Sequence, residues 1–240
     1  GSFRVAAYDS DVSDDYWFHD NSFTSPLTLA LGNVDRKGRQ PIKSDPPFFK
    51  ADGIVATQHF ATSRDGVKIP YFQVAREGLA LDGSNPTLLT GYGGFEISMT
   101  PDYDATAGAA WLERGGVVVV ANIRGGGEYG PEWHKAAIKH QRQRAYDDFI
   151  AVAEDLIARK VTSPAKLGTM GGSNGGLLVG VMLTQRPDLF GAVVCQVPLL
   201  DMQRYAKLPP GSFWIDEYGD PDKPEDWAAL AKFSPYHNVK

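Results

Sequence analysis

Met170-Gly171-Gly172-Ser173-Asn174-Gly175-Gly176-Leu177-Leu178 sets one serine among four glycines, with the pattern G-x-S-x-G at residues 171–175. Ahead of it, Leu167-Gly168-Thr169-Met170 is a short apolar run that predicts a buried strand. Behind it, nothing from Asn174 to Gln185 forbids a helix, and Arg186-Pro187 ends one. Strand, sharp turn and helix make a nucleophile elbow, in which a strained serine lifts its Oγ above a sheet. Strand and helix nearly collide at such a turn, so small residues are needed on both sides of the serine. A chain with 26 glycines can match the pattern by chance, and the bland alternative is a packing turn with an incidental serine. The strand before it and the helix after it favour the elbow.

Outward from the elbow, strands and helices alternate. Phe190 to Val197 is apolar enough for another central strand. Tyr146, Phe149, Ile150, Ala153, Leu156 and Ile157 recur at helical spacing, with Asp147, Asp148, Glu154 and Asp155 expected on a solvated or capping face. Val117 to Ala121 reads as a parallel strand covered on both sides. Tyr103 to Arg114 predicts a helix that Gly115-Gly116 stops, and Pro86 to Gly91 a short buried strand. Ile54–Thr62 and Val67–Val74 flank Ser63-Arg64-Asp65-Gly66, a hairpin signal. The alternation predicts an α/β fold with a mostly parallel sheet, and with the elbow an α/β-hydrolase.

The first 50 residues do not read as a self-sufficient domain. Asp9 to Asp15 is acidic, Tyr16-Trp17-Phe18 is an aromatic cluster, Ser25 to Leu31 forms one strand, and Gly32 to Phe49 reads as a connector. Of the 240 residues, 42% are hydrophobic and 22% charged, with a net charge of −5. That balance argues against nucleic acid or an anionic membrane as partner. No apolar run approaches the roughly 20 residues that span a bilayer. The single cysteine, Cys195, excludes an internal disulfide and is expected buried and inert. One cysteine suits cytosol and periplasm alike, with the cytosol preferred, and no signal peptide is visible. His59 is expected to pack. His134 and His140 are badly spaced for a metal and have no acid beside them in sequence. Arg124-Gly125-Gly126-Gly127-Glu128 lacks the Gly-Lys-Ser/Thr ending of a P-loop, so it reads as a structural loop. No cofactor and no metal are expected.

Gly-Gly-Ser173-Asn174-Gly-Gly-Leu-Leu resembles the nucleophile segment of the prolyl oligopeptidase family of serine peptidases. Gly91-Tyr92-Gly93-Gly94-Phe95, Asn122 through Gly130, and Trp214 through Tyr218-Gly219 agree with it in order and spacing. Ser-Arg-Asp-Gly-Val-Lys-Ile-Pro, from Ser63, is similar to the hairpin that opens the family's hydrolase sheet. The resemblance implies that residues 1–50 are the end of a β-propeller with its connector. Residues 51–240 would be the first portion of the hydrolase domain, so the fold is expected truncated. A fraction of one blade cannot close a propeller, so the start is expected poorly ordered or draped on the hydrolase domain.

The resemblance implies Ser173 as nucleophile, with the Asn174 backbone N–H and the Tyr92 hydroxyl as oxyanion donors. It makes Phe95, Asn174, Leu199, Trp214 and Tyr218 a slot for proline, whose flat apolar ring suits aromatic walls. The family's catalytic Asp and His are expected beyond Lys240, and so is its substrate-gripping arginine. His237 is the only histidine after Ser173; a triad using it is formally possible but not favoured. The implied partners are short proline-containing peptides, cleaved after proline by a protein that is monomeric at full length. These 240 residues alone are expected to be nearly inactive. Two alternatives stay open: a related acyl hydrolase or aminopeptidase, and a non-catalytic hydrolase-like binding protein.

Overall fold

The computed structural model describes residues 1–239. By its contacts the chain divides into two units. One holds residues 1–56, 74–77 and 100–115; the other holds 57–73, 78–99 and everything from Gly116.

In the first unit, β1 (Ser2–Ala7), β2 (Asp15–Asn21), β3 (Thr28–Asn33) and β4 (Arg39–Ser44) form an antiparallel sheet in chain order. This corrects the expectation of one strand followed by a connector. β4 is exposed at every position, so no apolar alternation marks it in the sequence. Gly38 supplies the turn before it, at φ 89°, where a side chain would be strained. Phe3 stacks on Phe18 across the first pair at 5.7 Å, and the Arg39 guanidinium lies 3.5 Å over the same Phe18 ring. Ser2 Oγ donates to Pro101 O at 2.6 Å, and Asn21 Nδ2 to Asp102 Oδ1 at 2.5 Å. The expected helix after Tyr103 is shorter and partly overwide. The turn α1 (Ala105–Ala107), capped by the Asp104 carboxylate, runs into a π-helical turn at Gly108–Leu112. Gly108 sits against the Phe49 ring, where no Cβ fits.

The main sheet contains β5 (Ile54–Thr62), β6 (Lys68–Arg76), β7 (Thr87–Gly91), β8 (Val117–Ala121), β9 (Leu167–Gly172) and β10 (Ala192–Gln196), in the order β10-β9-β7-β8-β6-β5. The pairs β8·β7, β7·β9 and β9·β10 are parallel, as an α/β fold requires. Asp65-Gly66 makes the hairpin turn: Ser63 N–H donates to Val67 O at 2.8 Å and Gly66 N–H to Ser63 O at 2.9 Å. The helices are α2 (Pro131–Lys135), α3 (Gln143–Ala158), α4 (Asn174–Gln185), α5 (Ile215–Tyr218) and α6 (Pro224–Leu230). α3 buries Tyr146, Phe149, Val152, Ala153 and Leu156. Each of its larger apolar side chains contributes about 1.5–3 kcal/mol by leaving water.

Two sequence expectations fail here. Asp148 is fully buried rather than solvated. It accepts from Ser63 Oγ at 2.6 Å and from Arg124 Nη2 and Nε at 2.6 and 2.9 Å, while Arg124 Nη1 reaches Asp65 at 2.6 Å. The glycine-rich loop, the hairpin turn and α3 are thereby joined through one guanidinium. Likewise Cys195, expected buried, is exposed on β10, the last strand on its side of the sheet among the described residues; its Sγ donates to Gly176 O at 3.1 Å.

Candidate active site

β9 ends at Gly172 and α4 begins at Asn174, so Ser173 alone makes the turn. Its backbone sits at φ 57°, ψ −119°, a conformation that costs a non-glycine residue about 1–3 kcal/mol. Neighbouring contacts hold it there. Ser173 N–H donates to Gln196 O at 3.1 Å, and Ser173 O accepts from Leu177 N–H at 3.1 Å. The glycines answer specific collisions. A Cβ on Gly171 would run into the Gly175 backbone, and one on Gly176 would lie 2.6 Å from Gln196 O. A Cβ on Gly175 would lie 3.0 Å from Gly91 O and 3.7 Å from Tyr92 Cδ2, so the first turn of α4 rests on the end of β7. Ser173 itself is exposed. It is the N-cap of α4 with no side-chain capping bond, next to a helix start whose unpaired N–H groups and dipole favour negative charge.

Tyr92 to Glu96 follows β7 directly. Gly93 turns the chain at φ 65°, and Phe95 and Glu96 then hold φ 56° and 58° in succession. For two L side chains that is a cost of about 1–2 kcal/mol each, sustained only by surrounding bonds. Phe95 N–H donates to Glu217 Oε1 at 3.0 Å and Glu96 N–H to Gly125 O at 3.2 Å. Gly94 packs so closely on the Asn174 amide that a Cβ would lie 2.5 Å from Nδ2.

Asn174 has no exposed surface. Its Nδ2 donates to Tyr92 O at 2.7 Å; its Oδ1 accepts from Arg142 Nη2 at 2.5 Å and from Tyr218 OH at 2.7 Å. Arg142 is buried too, and its Nη1 donates to Glu217 Oε1 at 2.7 Å. Glu217 Oε2 meets His134 Nε2 at 2.7 Å. Burial pushes the Tyr218 hydroxyl well above its ordinary pKa, which keeps it a donor to Asn174. Burial also works against the Arg142 charge, but Tyr146, Tyr218 and Glu217 outweigh it and raise its pKa. The Phe95 ring meets Tyr218 edge-on at 5.7 Å.

Ser173, Tyr92, Phe95, Asn174 and Tyr218 thus lie around one junction of β7, β9, α4 and α5. Trp214 ends the 3₁₀ turn Gly211–Trp214 that leads into α5, and Leu199 is half-buried on the loop after β10. Among the described residues, no hydrogen bond or ring contact ties Trp214 or Leu199 to the other five. His237 is engaged elsewhere: its Nδ1 meets Ser234 Oγ at 2.8 Å, and its ring lies 5.0 Å from that of Trp227. His134 and His140, read from sequence as lacking an acid, each have one: Glu217 at 2.7 Å and Asp226 at 2.5 Å. Those partners are 83 and 86 residues away, out of sight of local spacing. Among the described residues no group of three or more His, Cys, Asp or Glu is arranged to hold a metal ion.

Arg142 and Glu217 went unnoticed in the sequence. Gln141-Arg142-Gln143-Arg144 looks like a solvated helix start, and nothing there signals burial. The nearest signal was Glu217, directly before Tyr218.

Known proteins resemble this chain along nearly its whole length. The chain is 55% identical over 230 residues to an uncharacterised peptidase of Sinorhizobium fredii, covering 96% of this chain and 32% of that protein. A post-proline cleaving enzyme from Rickettsia typhi superposes with a TM-score of 0.91 at 44% identity, over 100% of this chain and 34% of that one. Prolyl oligopeptidase B from Galerina marginata, bound to a 25-residue macrocyclisation substrate, superposes with a TM-score of 0.93 at 32% identity, again over 100% and 34%. The chain therefore spans about a third of the length of the relatives it matches. Residues 103–240 match the model of the prolyl oligopeptidase family of serine peptidases, and the chain belongs to that family.

Proposed function

We propose that this chain carries the nucleophile, the oxyanion donors and the proline slot of a serine endopeptidase that cuts short peptides after proline. The observation that carries the reading is Ser173, strained and exposed at the strand–helix turn, with the Tyr92–Phe95 loop packed on the same helix start. Residues 1–50 are read as the end of a β-propeller with its connector, and 51–240 as the first portion of the hydrolase domain.

The chemistry follows from the positions. Ser173 Oγ attacks the carbonyl carbon of a prolyl residue while a general base takes its proton. The carbonyl oxygen becomes an oxyanion and receives the Asn174 backbone N–H and the Tyr92 hydroxyl. The C–N bond breaks, the proton passes to the departing amine, and an acyl ester remains on Ser173 for water to cleave. Phe95, Leu199, Trp214 and Tyr218 wall the proline ring. The base and its orienting acid are assigned to segments of the full-length protein outside these residues, since His237 is held by Ser234 and meets no atom of Ser173.

The test is hydrolysis of a chromogenic prolyl amide. The full-length protein turns it over, and Ser173→Ala abolishes turnover. Tyr92→Phe lowers kcat about 10²–10³-fold, the usual cost of one oxyanion donor. These 240 residues alone retain at most the residue left when a base is removed, about six decades down. Full turnover by Ser173→Ala would refute the assignment. A full-length protein that binds prolyl peptides without cleaving them would favour the binding-protein alternative.

A further inference from the structure

Three buried side chains outside the chemistry converge on the site: the Arg142 guanidinium, the Glu217 carboxyl and the Asn174 amide. Their hydrogen bonds form one chain with two ends in the Tyr92–Glu96 loop. At one end Asn174 Nδ2 holds Tyr92 O at 2.7 Å; at the other Glu217 Oε1 holds Phe95 N–H at 3.0 Å. Arg142 closes the chain, one terminal nitrogen on each: Nη1 on Glu217 at 2.7 Å and Nη2 on Asn174 at 2.5 Å. Only a planar fork with two separate donors makes both bonds from one stem. The polarity is fixed throughout. Oδ1 of Asn174 faces the Arg142 guanidinium, which can only donate, and Nδ2 faces a carbonyl, which can only accept, so the amide cannot flip without losing both bonds.

The loop so held is the strained one, with Phe95 and Glu96 at φ 56° and 58°. We infer that Arg142, Glu217 and the Asn174 side chain form a buried brace that positions Tyr92 and Phe95 against the Ser173 turn. Arg142 and Glu217 are positioning residues for the peptidase reaction. The Asn174 amide acts through Tyr92, not through contact with the proline. The inference rests on the proposed peptidase reading and assigns to it residues that touch no substrate. His134, bonded to the outer oxygen of Glu217, is the end of the brace nearest solvent, 20% exposed.

The experiment is a double-mutant cycle in the full-length protein, with kcat and KM for a prolyl amide and the melting temperature as readouts. Arg142→Lys keeps the buried charge beside Glu217 but cannot make both bonds. It is expected to lower kcat ten- to a hundredfold with the melting temperature held within a few degrees. In the Tyr92→Phe background, whose hydroxyl is already gone, the same change is expected to cost less than threefold in kcat. Such non-additivity marks residues that act through one group. Asn174→Asp is the second probe, and it serves if Arg142→Lys fails to fold. It keeps the acceptor for Arg142 and Tyr218 and sets a second acceptor against Tyr92 O in place of the donor, so the same coupling is expected. Equal losses in both backgrounds, or no loss in either, overturn the brace while leaving Ser173 as nucleophile. An inactive wild-type protein overturns both readings together.

Discussion

The turn at Ser173 yields a contrast between two adjacent glycines that sequence alone treats alike. Gly171 and Gly172 both precede the serine, but the space around them differs. A Cβ on Gly171 would strike the carbonyl oxygen, carbonyl carbon and Cα of Gly175, all backbone of the first turn of α4. No side-chain rotation relieves that; β9 and α4 must separate. Overpacking costs about 1–3 kcal/mol where side chains can give, and a backbone obstacle puts Gly171→Ala at about 3 kcal/mol or above. A Cβ on Gly172 meets nothing nearer than Gln196 Cβ and O at 4.0 Å, and its φ is not in the left-handed region. Gly172→Ala removes freedom from the unfolded chain and is expected to gain about 0.4–1 kcal/mol. For a chain of this size 1 kcal/mol moves the melting temperature by about 2–4 °C. Gly171→Ala should therefore melt about 6–12 °C below wild type, and Gly172→Ala about 1–4 °C above it. Thermal unfolding followed by circular dichroism reads both. Melting temperatures for the two variants within a degree of each other would refute the collision argument, and with it the claim that these glycines hold strand and helix at contact distance.

Arg124→Met strands the Asp148 carboxylate in the core with Ser63 Oγ and a backbone N–H, and should cost about 3–5 kcal/mol in urea unfolding. Adding Asp148→Leu should recover most of that loss, because no buried charge remains unpaired; a double variant no more stable than the single would contradict it. Asp226 has its carboxyl held below the ordinary range by the Asp220 N–H and by His140. A depressed carboxylate stabilises the fold above its unfolded pKa, and that contribution fades as pH falls through the lower folded value. Asp226→Asn should accordingly flatten the acid limb of the stability profile below about pH 4. In the 240-residue chain Cys195 is exposed, so a maleimide should label it without denaturant; partial burial raises its thiol pKa, so labelling should accelerate as pH is taken from 7 towards 9. Labelling that needs urea would show the thiol to be covered.

How far the sequence disclosed the site depends on the distance over which each constraint acts. Ser173, the helix Asn174–Gln185 and the strand before them were legible because the turn must be paid for locally, in glycines within three residues of the serine. The hairpin at Asp65-Gly66 and the buried strand Val117–Ala121 were legible for the same reason: periodicity and turn chemistry are written in neighbours. Within residues 1–50, β4 was read as connector because it has no apolar face and lies at the edge of its sheet, so its pairing partner defines it and its composition does not.

Of the brace, the sequence disclosed Asn174 but neither Arg142 nor Glu217. Arg142 meets Asn174 across 32 residues and Glu217 across 75, and an arginine among glutamines carries no mark of burial. The same holds for Asp148, one of four acids on α3, whose partner Arg124 lies 24 residues upstream in a glycine run. These long-range polar pairs share a geometry: in each, a buried arginine forks between an acid and a second acceptor from another segment of the chain. Arg124 ties the glycine loop and hairpin turn to α3; Arg142 ties α5 and the start of α4 together, and through them the loop after β7. A hydrophobic contact tolerates sliding by an ångström, whereas a two-pronged hydrogen bond does not. Of the two, Arg142 is the one that joins segments meeting at the Ser173 turn, so its loss should act first on the precision of the site, whereas the loss of Arg124 should act first on stability.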